Sequence, residues 1–231
     1  KSLADMPATR IADESAGMDM LYSSGTTGRP KGVRGALTGE AIDAPTALLG
    51  LVHALFGFSH ESIYLSPAPL YHAAPLRYCM TIHRAGGTVI AMEHFDAERA
   101  LGFIEQYNAN ASQWVPTMFV RMLKLPDAVR LKYDVSSMKS AIHAAAPCPV
   151  DVKRKMIEWW GPVIHEYYAG TEGNGFCYVG STDWLAHPGT VGKAIFGELH
   201  ICGEKGEEMP VGEEGVIYFA GATNFQYHND P

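Results

Sequence analysis

A short segment near the start of the chain combines glycines, hydroxyl side chains and a lysine. Leu21 to Val33 reads Leu-Tyr-Ser-Ser-Gly-Thr-Thr-Gly-Arg-Pro-Lys-Gly-Val. Glycines admit backbone conformations that other residues avoid, so successive N–H groups can surround an anion. Hydroxyls add hydrogen-bond donors, and lysine adds a positive charge. The segment predicts a polyphosphate-binding loop, with these candidate residues: Ser23, Ser24, Gly25, Thr26, Thr27, Gly28 and Lys31.

The spacing excludes a Walker A loop, in which Gly-x-x-x-x-Gly-Lys-Ser/Thr opens a helix. Counted from Gly25, the second glycine of that motif would fall on Pro30. Pro30 and the glycines after it favour a loop between two extended segments, so we expect no helix dipole at this site. A surface hairpin rich in turn residues is the alternative interpretation.

A second segment with reactive side chains runs from His165 to Gly173 and reads His-Glu-Tyr-Tyr-Ala-Gly-Thr-Glu-Gly. An apolar strand leads into a turn that carries a hydroxyl and a carboxylate, and α/β sheets place ligand groups at such strand ends. Glu172 supplies the oxygen ligand that Mg²⁺ prefers beside substrate phosphates. Thr171 can donate to a phosphate oxygen, and Tyr168 offers an aromatic face to a base. An ordinary loop with a solvated glutamate is the alternative.

Two further segments could border a substrate. Pro69 to Ala74 places His72 after an apolar stretch, although a single histidine more often makes structural hydrogen bonds. Ala144 to Ala146 close a predicted strand before Pro-Cys-Pro, and such small side chains let a ligand approach the backbone. A small-residue turn before a helix is the alternative for this second segment.

Together these segments resemble the motifs of the adenylate-forming superfamily, which includes acyl-CoA synthetases, the adenylation domains of nonribosomal peptide synthetases and firefly luciferase. Tyr22 to Val33 resembles its phosphate loop, and Pro69 to Ala74 resembles its aromatic-histidine motif. His165 to Gly173 resembles its Tyr-Gly-x-Thr-Glu motif, with Ala169 in place of the first glycine. The motifs occur in the family's order, and the resemblance covers nearly the whole chain from about Met18.

The resemblance implies a role for each candidate residue. Thr171, Glu172 and Lys31 would be catalytic: Thr171 would contact the AMP phosphate, Glu172 would hold Mg²⁺, and Lys31 with the loop hydroxyls would hold the β and γ phosphates. Tyr168 would stack on adenine, and Glu166 would face the adenine amino group through its carboxylate or its backbone carbonyl. The other nucleotide-binding residues would be Ala145, Ala146, Tyr167, Ala169 and Gly170. The acyl pocket would contain His72, Leu76, Trp114, Ala144 and Gly173, with a plain core aromatic as the alternative for Trp114.

The same resemblance implies a two-step reaction that uses ATP, Mg²⁺ and coenzyme A. A small-molecule carboxylic acid, fatty or otherwise acyl, would form an acyl-adenylate with release of pyrophosphate, and the acyl group would then pass to the thiol of coenzyme A. An adenylation domain that loads a carrier protein is one alternative. A non-catalytic nucleotide-binding module is another. Neither the acid, its chain length nor the oligomeric state can be inferred from the residues.

Composition restricts the class of protein. The 231 residues carry a formal net charge of −7, which argues against a nucleic-acid partner. No apolar run has membrane-spanning length, because Pro45, Gly50 and Gly57 interrupt the longest one. The four cysteines include no Cys-x-x-Cys pair, so we expect no zinc site and reduced thiols in a cytoplasmic protein.

The elements that must position these motifs alternate between short apolar strands and helices. This alternation predicts an α/β domain with a largely parallel sheet over residues 1–184. Residues 185–231 are rich in glycine and short extended pieces, which predicts the start of a small β-rich subdomain. The resemblance implies that the family's N-terminal part and its C-terminal lid domain are absent from this chain.

Overall fold

The computed structural model describes residues 3–23, 29–221 and 225–229, which form two compact units. The smaller unit contains the described residues up to Thr46 together with 225–229, and the larger unit runs from Ala47 to residue 221.

The helices are α1 (Ala47–Phe56), α2 (Ala73–Arg84), α3 (Ala97–Tyr107), α4 (Pro116–Leu123), α5 (Asp127–Arg130), α6 (Val150–Trp160) and α7 (Ser181–Ala186). A 3₁₀ turn spans Leu3–Asp5. The strands are β1 (Met20–Ser23), β2 (Lys31–Gly35), β3 (Ile63–Ser66), β4 (Thr88–Ala91), β5 (Ala111–Trp114), β6 (Ser140–His143), β7 (Ile164–Ala169), β8 (Phe176–Val179), β9 (Lys193–Phe196), β10 (Glu198–Cys202), β11 (Val216–Ala220) and β12 (Phe225–Tyr227).

The smaller unit holds an antiparallel sheet of order β1-β2-β12. Leu21 pairs with Val33 across β1 and β2, and both side chains are buried. These two strands are the extended segments that we predicted on either side of the phosphate loop. Five predicted loop residues lie outside the described residues: Ser24, Gly25, Thr26, Thr27 and Gly28.

The larger unit is built on a seven-stranded sheet of order β4-β3-β5-β6-β7-β8-β9. The first five strands in this order are parallel, whereas β8 and β9 pair antiparallel. Strands β5 and β6 are buried at every position, as expected for central strands covered on both faces. The predicted α/β fold with a largely parallel, helix-flanked sheet is confirmed.

Two apolar clusters lie on opposite faces of this sheet. One cluster joins α1 and α2 to side chains such as Tyr64 and Ile142. The other joins α3, α4 and α6 to side chains such as Leu65 and Trp114. Because neighbouring strand residues point to opposite faces, strands β3 to β8 contribute side chains to both clusters. A strand side chain therefore contacts the helices that cover its own face of the sheet.

Local sequence explains where several helices begin and end. Asp96 caps α3, because its carboxylate accepts a 2.8 Å hydrogen bond from the Arg99 backbone N–H. Asn108 ends the same helix in the left-handed conformation, at φ 52°. Pro116 begins α4, where the N–H that it lacks would have no partner within the helix.

Several boundaries differ from the sequence-based expectation. Apolar residues at helical spacing from Thr38 to Phe58 predict a mostly buried helix. The observed helix α1 begins only at Ala47, because the turn residues up to Pro45 leave the first part irregular. The short extended pieces after residue 184 predict a strand over Thr190–Lys193, whereas the observed strand β9 begins at Lys193. The sequence pattern does not predict β8 or α7. The β10–β11 hairpin agrees with the expected glycine-rich β region. The division at residue 184 stays a prediction. Within the described ranges, no helix combines the length and apolar character that crossing a membrane requires.

Candidate active site

Two turns that follow neighbouring parallel strands form the candidate site in the larger unit. The turn Ala144–Ala146 follows β6, and the turn Gly170–Gly173 follows β7. Ala141 pairs with Ile164 in register, so β6 and β7 end at the same edge of the sheet. Ligands of α/β proteins bind outside the carboxyl ends of the strands. The structure thus brings two of the predicted motifs to one edge.

The turn after β7 gathers side-chain oxygens around a glycine. Gly173 has φ 68°, and its N–H donates a 3.2 Å hydrogen bond to the Gly170 carbonyl. A β-carbon at Gly170 would lie 3.0 Å from Glu172 Oε2 and 3.3 Å from Asn174 Oδ1. The missing side chain therefore leaves room for a carboxylate and an amide oxygen side by side. Sequence reasoning overlooked Asn174, although it is the second residue after Glu172 in a turn that we had already selected.

Helix α2 is tied to this turn by an arginine that the sequence analysis did not select. Arg77 Nη1 donates a 3.3 Å hydrogen bond to the Thr171 carbonyl. His72 lies at the N-cap of the same helix with an exposed ring, and Leu76 lies in its first turn, half-buried. Two predicted acyl-pocket residues therefore share a helix with a residue that contacts the Thr171–Glu172 turn.

The two tyrosines of β7 point to opposite faces. Tyr168 is 42% exposed, and its ring stacks 6.4 Å from that of Phe219. Tyr167 faces α2 and accepts a 2.7 Å hydrogen bond from Gln113 Nε2. Burial raises the pKa of Tyr167 to about 12, although the bond from Gln113 favours the ionised form. Tyr167 is therefore a neutral side chain inside the domain, whereas Tyr168 offers part of its ring at the surface.

Glu166 does not lie where the resemblance placed its side chain. It is 6% exposed, and its Oε2 accepts a 2.5 Å hydrogen bond from Lys153 Nζ on α6. Alternation along β7 turns this carboxylate toward the helix layer that contains α6. The expectation that the carboxylate faces adenine is therefore corrected, because the ion pair holds it inside the domain. A contact between the Glu166 backbone carbonyl and the adenine amino group stays a prediction.

The turn after β6 has a backbone that favours glycine. Ala145 adopts φ 75°, in the left-handed region that a side chain disfavours. Ala145 and Ala146 are exposed, so they can border a ligand. Ala144 is 7% exposed, and its N–H donates to the Trp114 carbonyl over 3.4 Å. Of the three alanines that we predicted to border a ligand, Ala145 and Ala146 are therefore accessible, whereas Ala144 is buried.

Trp114 belongs to the core instead of the acyl pocket. Its side chain is 1% exposed, and its ring packs edge-on to Trp160. It lies in the α3–α4–α6 cluster, on the face of the sheet opposite α2. The assignment of Trp114 to the pocket with His72 is corrected for that reason. Its neighbour Gln113 contacts Tyr167 on the α2 face and is the better candidate.

The remaining predicted residues belong to the smaller unit. Ser23 ends β1, and Lys31 begins β2 with its Nζ 4.6 Å from the ring centroid of Tyr227. The ring faces the ammonium group, which is a favourable cation–π arrangement. The predicted phosphate contacts of both residues stay predictions.

Comparisons with known proteins support the family resemblance. A family model described as AMP-binding enzyme matches residues 4–227. A probable CoA ligase from Humulus lupulus is 30% identical over 217 residues, and the match covers 88% of this chain and 37% of that protein. A feruloyl-CoA synthase from an Amycolatopsis species is 28% identical, with 87% and 40% covered. A 2-succinylbenzoate–CoA ligase from Bacillus licheniformis is 27% identical, with 94% and 44% covered. The chain thus spans between 37% and 44% of the length of these relatives.

Solved structures agree with this assignment. ATP-bound MatB from Rhodopseudomonas palustris superposes with a TM-score of 0.74 at 27% identity, covering 96% of this chain and 42% of that one. The N-terminal domain of FACL13 from Mycobacterium tuberculosis gives a TM-score of 0.73 at 25% identity, covering 90% and 51%. With the family model matching almost the whole chain and the predicted motif turns following neighbouring strands of the sheet, the chain belongs to the AMP-binding enzymes of the adenylate-forming superfamily.

Proposed function

We propose that this chain is part of an acid–thiol ligase that activates a carboxylic acid with ATP and transfers the acyl group to coenzyme A. The observation that carries the proposal is the Thr171–Glu172 turn, held at the carboxyl edge of the sheet in a chain of the AMP-binding family. Relatives named as CoA ligases act on acids as different as ferulate and succinylbenzoate, so their names support the reaction more than any one acid.

The first step of the proposed reaction is attack of the ionised acid on the α-phosphorus of ATP. The new bond joins a carboxylate oxygen to phosphorus, and the bond to the pyrophosphate oxygen breaks. A carboxylate is already ionised at neutral pH, so this step requires no general base. Catalysis then depends on positioning and on stabilising negative charge at the α-phosphate. The Thr171 hydroxyl would stabilise that charge by donating a hydrogen bond to a phosphate oxygen.

Glu172 and Asn174 provide oxygen donors that fit Mg²⁺. Both side-chain oxygens lie beside Gly170, and Mg²⁺ is usually bound by one or two protein carboxylates together with substrate phosphates. Among the described residues, no group of three or more His, Cys, Asp or Glu could hold a metal on its own. The ion would neutralise phosphate charge when bound.

The other parts of the proposal rest on the resemblance. Tyr168 would stack on adenine, and Ala145, Ala146, Ala169 and Gly170 would border the nucleotide. His72, Leu76 and Gly173 would border the acid. Ser23 to Gly28 and Lys31 would bind the β and γ phosphates. A role in fatty acid metabolism and a cytoplasmic location belong to the same proposal, and a carrier protein as thiol acceptor is its alternative.

Glu172→Gln tests the proposal by acid-dependent exchange of pyrophosphate into ATP, measured on the full-length protein. We expect exchange to fall by a factor on the order of 10² to 10³, because one charge-stabilising group is lost. Glu214→Gln removes an exposed glutamate of the β10–β11 hairpin and is the matched control, with exchange close to wild type.

A panel of fatty, aryl and amino acids identifies the substrate class in the same assay. Exchange with amino acids alone would favour the carrier-protein alternative. Formation of a CoA thioester from the adenylated acid would establish the second step. Near-normal exchange in Glu172→Gln would contradict the role of this carboxylate, and exchange with no acid would refute the proposed activity.

A further inference from the structure

An ion pair lies inside the larger unit and joins β7 to α6, two elements that adjoin the turns of the candidate site. Lys153 Nζ and Glu166 Oε2 are 2.5 Å apart, and the two side chains are 0% and 7% exposed. His143 Nε2 lies 3.5 Å from the same carboxylate oxygen. The Lys153 ammonium also lies 4.8 Å from the ring centroid of Trp184. We call Lys153, Glu166 and His143 the buried charge cluster.

Stability alone is a weak reason for such a pair. Removing two charges from water costs several kcal/mol per ion, and replacing a buried pair with apolar residues is often neutral or stabilising. Burial lowers the pKa of Lys153, whereas Glu166 counteracts this shift. Burial also lowers the pKa of His143 to about 3, so the histidine is neutral, and within the buried charge cluster the positive charge beside the carboxylate is that of Lys153.

The cluster connects the elements that carry both turns of the candidate site. Glu166 lies on β7, two residues before Tyr168 and five before Thr171. His143 is the last residue of β6, directly before Ala144. Lys153 lies on α6, which begins shortly after the Ala144–Ala146 turn. The ion pair therefore joins the strand before one turn to the helix after the other.

We infer that Lys153 is a positioning residue for the nucleotide site: its bond to Glu166 holds β7 against α6 and thereby sets where Tyr168 and Thr171 lie relative to the Ala144–Ala146 turn. The inference rests on the proposed function, because it assigns nucleotide binding to these turns. Lys153 does not touch the nucleotide itself, since its side chain is completely buried. The Glu166 side chain acts in the same way, through the bond of its carboxylate to Lys153.

Three variants separate positioning from simple stabilisation: Lys153→Met, Glu166→Gln and the double variant. Each single change leaves a buried polar group without its charged partner, which destabilises the fold. The double variant leaves no buried charge, so its free energy of unfolding recovers toward the wild-type value. The bond between α6 and β7 is nevertheless absent from it. Met156→Ala is the matched control, because Met156 is fully buried on the same helix and its truncation destabilises without touching the ion pair.

The measurements on the full-length protein are the free energy of unfolding, ATP affinity by calorimetry, and kcat and KM for pyrophosphate exchange. We expect the double variant to regain stability but to lose about tenfold to a hundredfold in kcat/KM for ATP, since small misplacements of site groups cost that much. Its ATP affinity falls in parallel. Met156→Ala loses stability but keeps its ATP affinity within about twofold of the wild type, well below the loss of about tenfold or more that we expect for the double variant.

The outcomes also distinguish this inference from the proposed function. Wild-type ATP affinity and kcat/KM in the double variant would overturn the inference and leave the proposed function intact. Normal ATP binding without exchange for any acid would refute the proposed function, while calorimetry on the variants would still test the positioning role. Failure of the wild-type protein to bind ATP would overturn both.

Discussion

Acid should destabilise this protein through His143, and the size of the effect follows from its surroundings. The ring is fully buried and packs edge-on to Phe119, with a centroid distance of 5.6 Å. Burial, followed by the nearby Lys153 charge, lowers its pKa to about 3. In an unfolded chain, histidine has a pKa of about 6.5. The unfolded state therefore takes up a proton at mildly acidic pH that the folded state refuses.

The sign and magnitude come from this difference in pKa. Above about pH 6.5 neither state binds the proton, so His143 makes no pH-dependent contribution to folding. As the pH falls from 6.5 toward 3, the unfolded state gains up to about 1.4 kcal/mol per pH unit relative to the folded state. Between pH 7.5 and pH 5 the loss of stability amounts to about 2 kcal/mol. That is a large part of the 5–15 kcal/mol that is typical of whole proteins.

The comparison of wild type with His143→Gln isolates this contribution. Denaturant titrations followed by tryptophan fluorescence give the free energy of unfolding at pH 7.5 and at pH 5. Trp114 and Trp160 are buried reporters, and both rings pack against Phe119, the neighbour of His143. His165, whose pKa burial lowers to about 4, titrates in both proteins and cancels. We expect the wild type to lose about 2 kcal/mol more than the variant over this interval. Equal losses would refute the idea that the folded state keeps His143 neutral.

Two further predictions concern the backbone. Asp96→Ala should cost about 1 kcal/mol of unfolding free energy, because the Arg99 N–H loses its cap; an unchanged denaturant midpoint would contradict the capping role. Gly192→Ala should prevent stable folding, because φ is 91° and the added β-carbon would lie 1.9 Å from the Tyr178 carbonyl oxygen. Gly50→Ala is its control, since Gly50 lies inside α1 with nothing within 4 Å and alanine there should stabilise by about 1 kcal/mol. Similar thermal melts for the two glycine variants would refute this contrast.

The local features of the fold were legible in the sequence because they depend on neighbouring residues. The amphipathic pattern from Asp96 to Tyr107 predicts the helix observed as α3, and the alternation of short apolar strands with helices predicts the α/β class. The Thr171–Glu172 motif was likewise identified from adjacent residue types. Phosphate-loop residues such as Thr26 were selected in the same way, and their role stays a prediction.

The tertiary structure decided which partners these residues have. Glu166 and Tyr167 are neighbours in sequence, yet one pairs with Lys153 and the other accepts a bond from Gln113. Alternation along a strand tells that the two side chains point to opposite faces, but not which helix covers each face.

Trp114 was wrongly assigned to the site and Arg77 was missed, because local sequence does not predict contacts between distant elements. The family resemblance placed Trp114 in the acyl pocket, whereas the packing of α3, α4 and α6 over its face makes it a core residue. Arg77 carried no local signal, because its contact with Thr171 spans 94 residues of chain. Residue types and spacing determine which chemistry a segment can support. Packing of distant elements determines which side chains meet, since burial and pairing free energies depend on the whole fold.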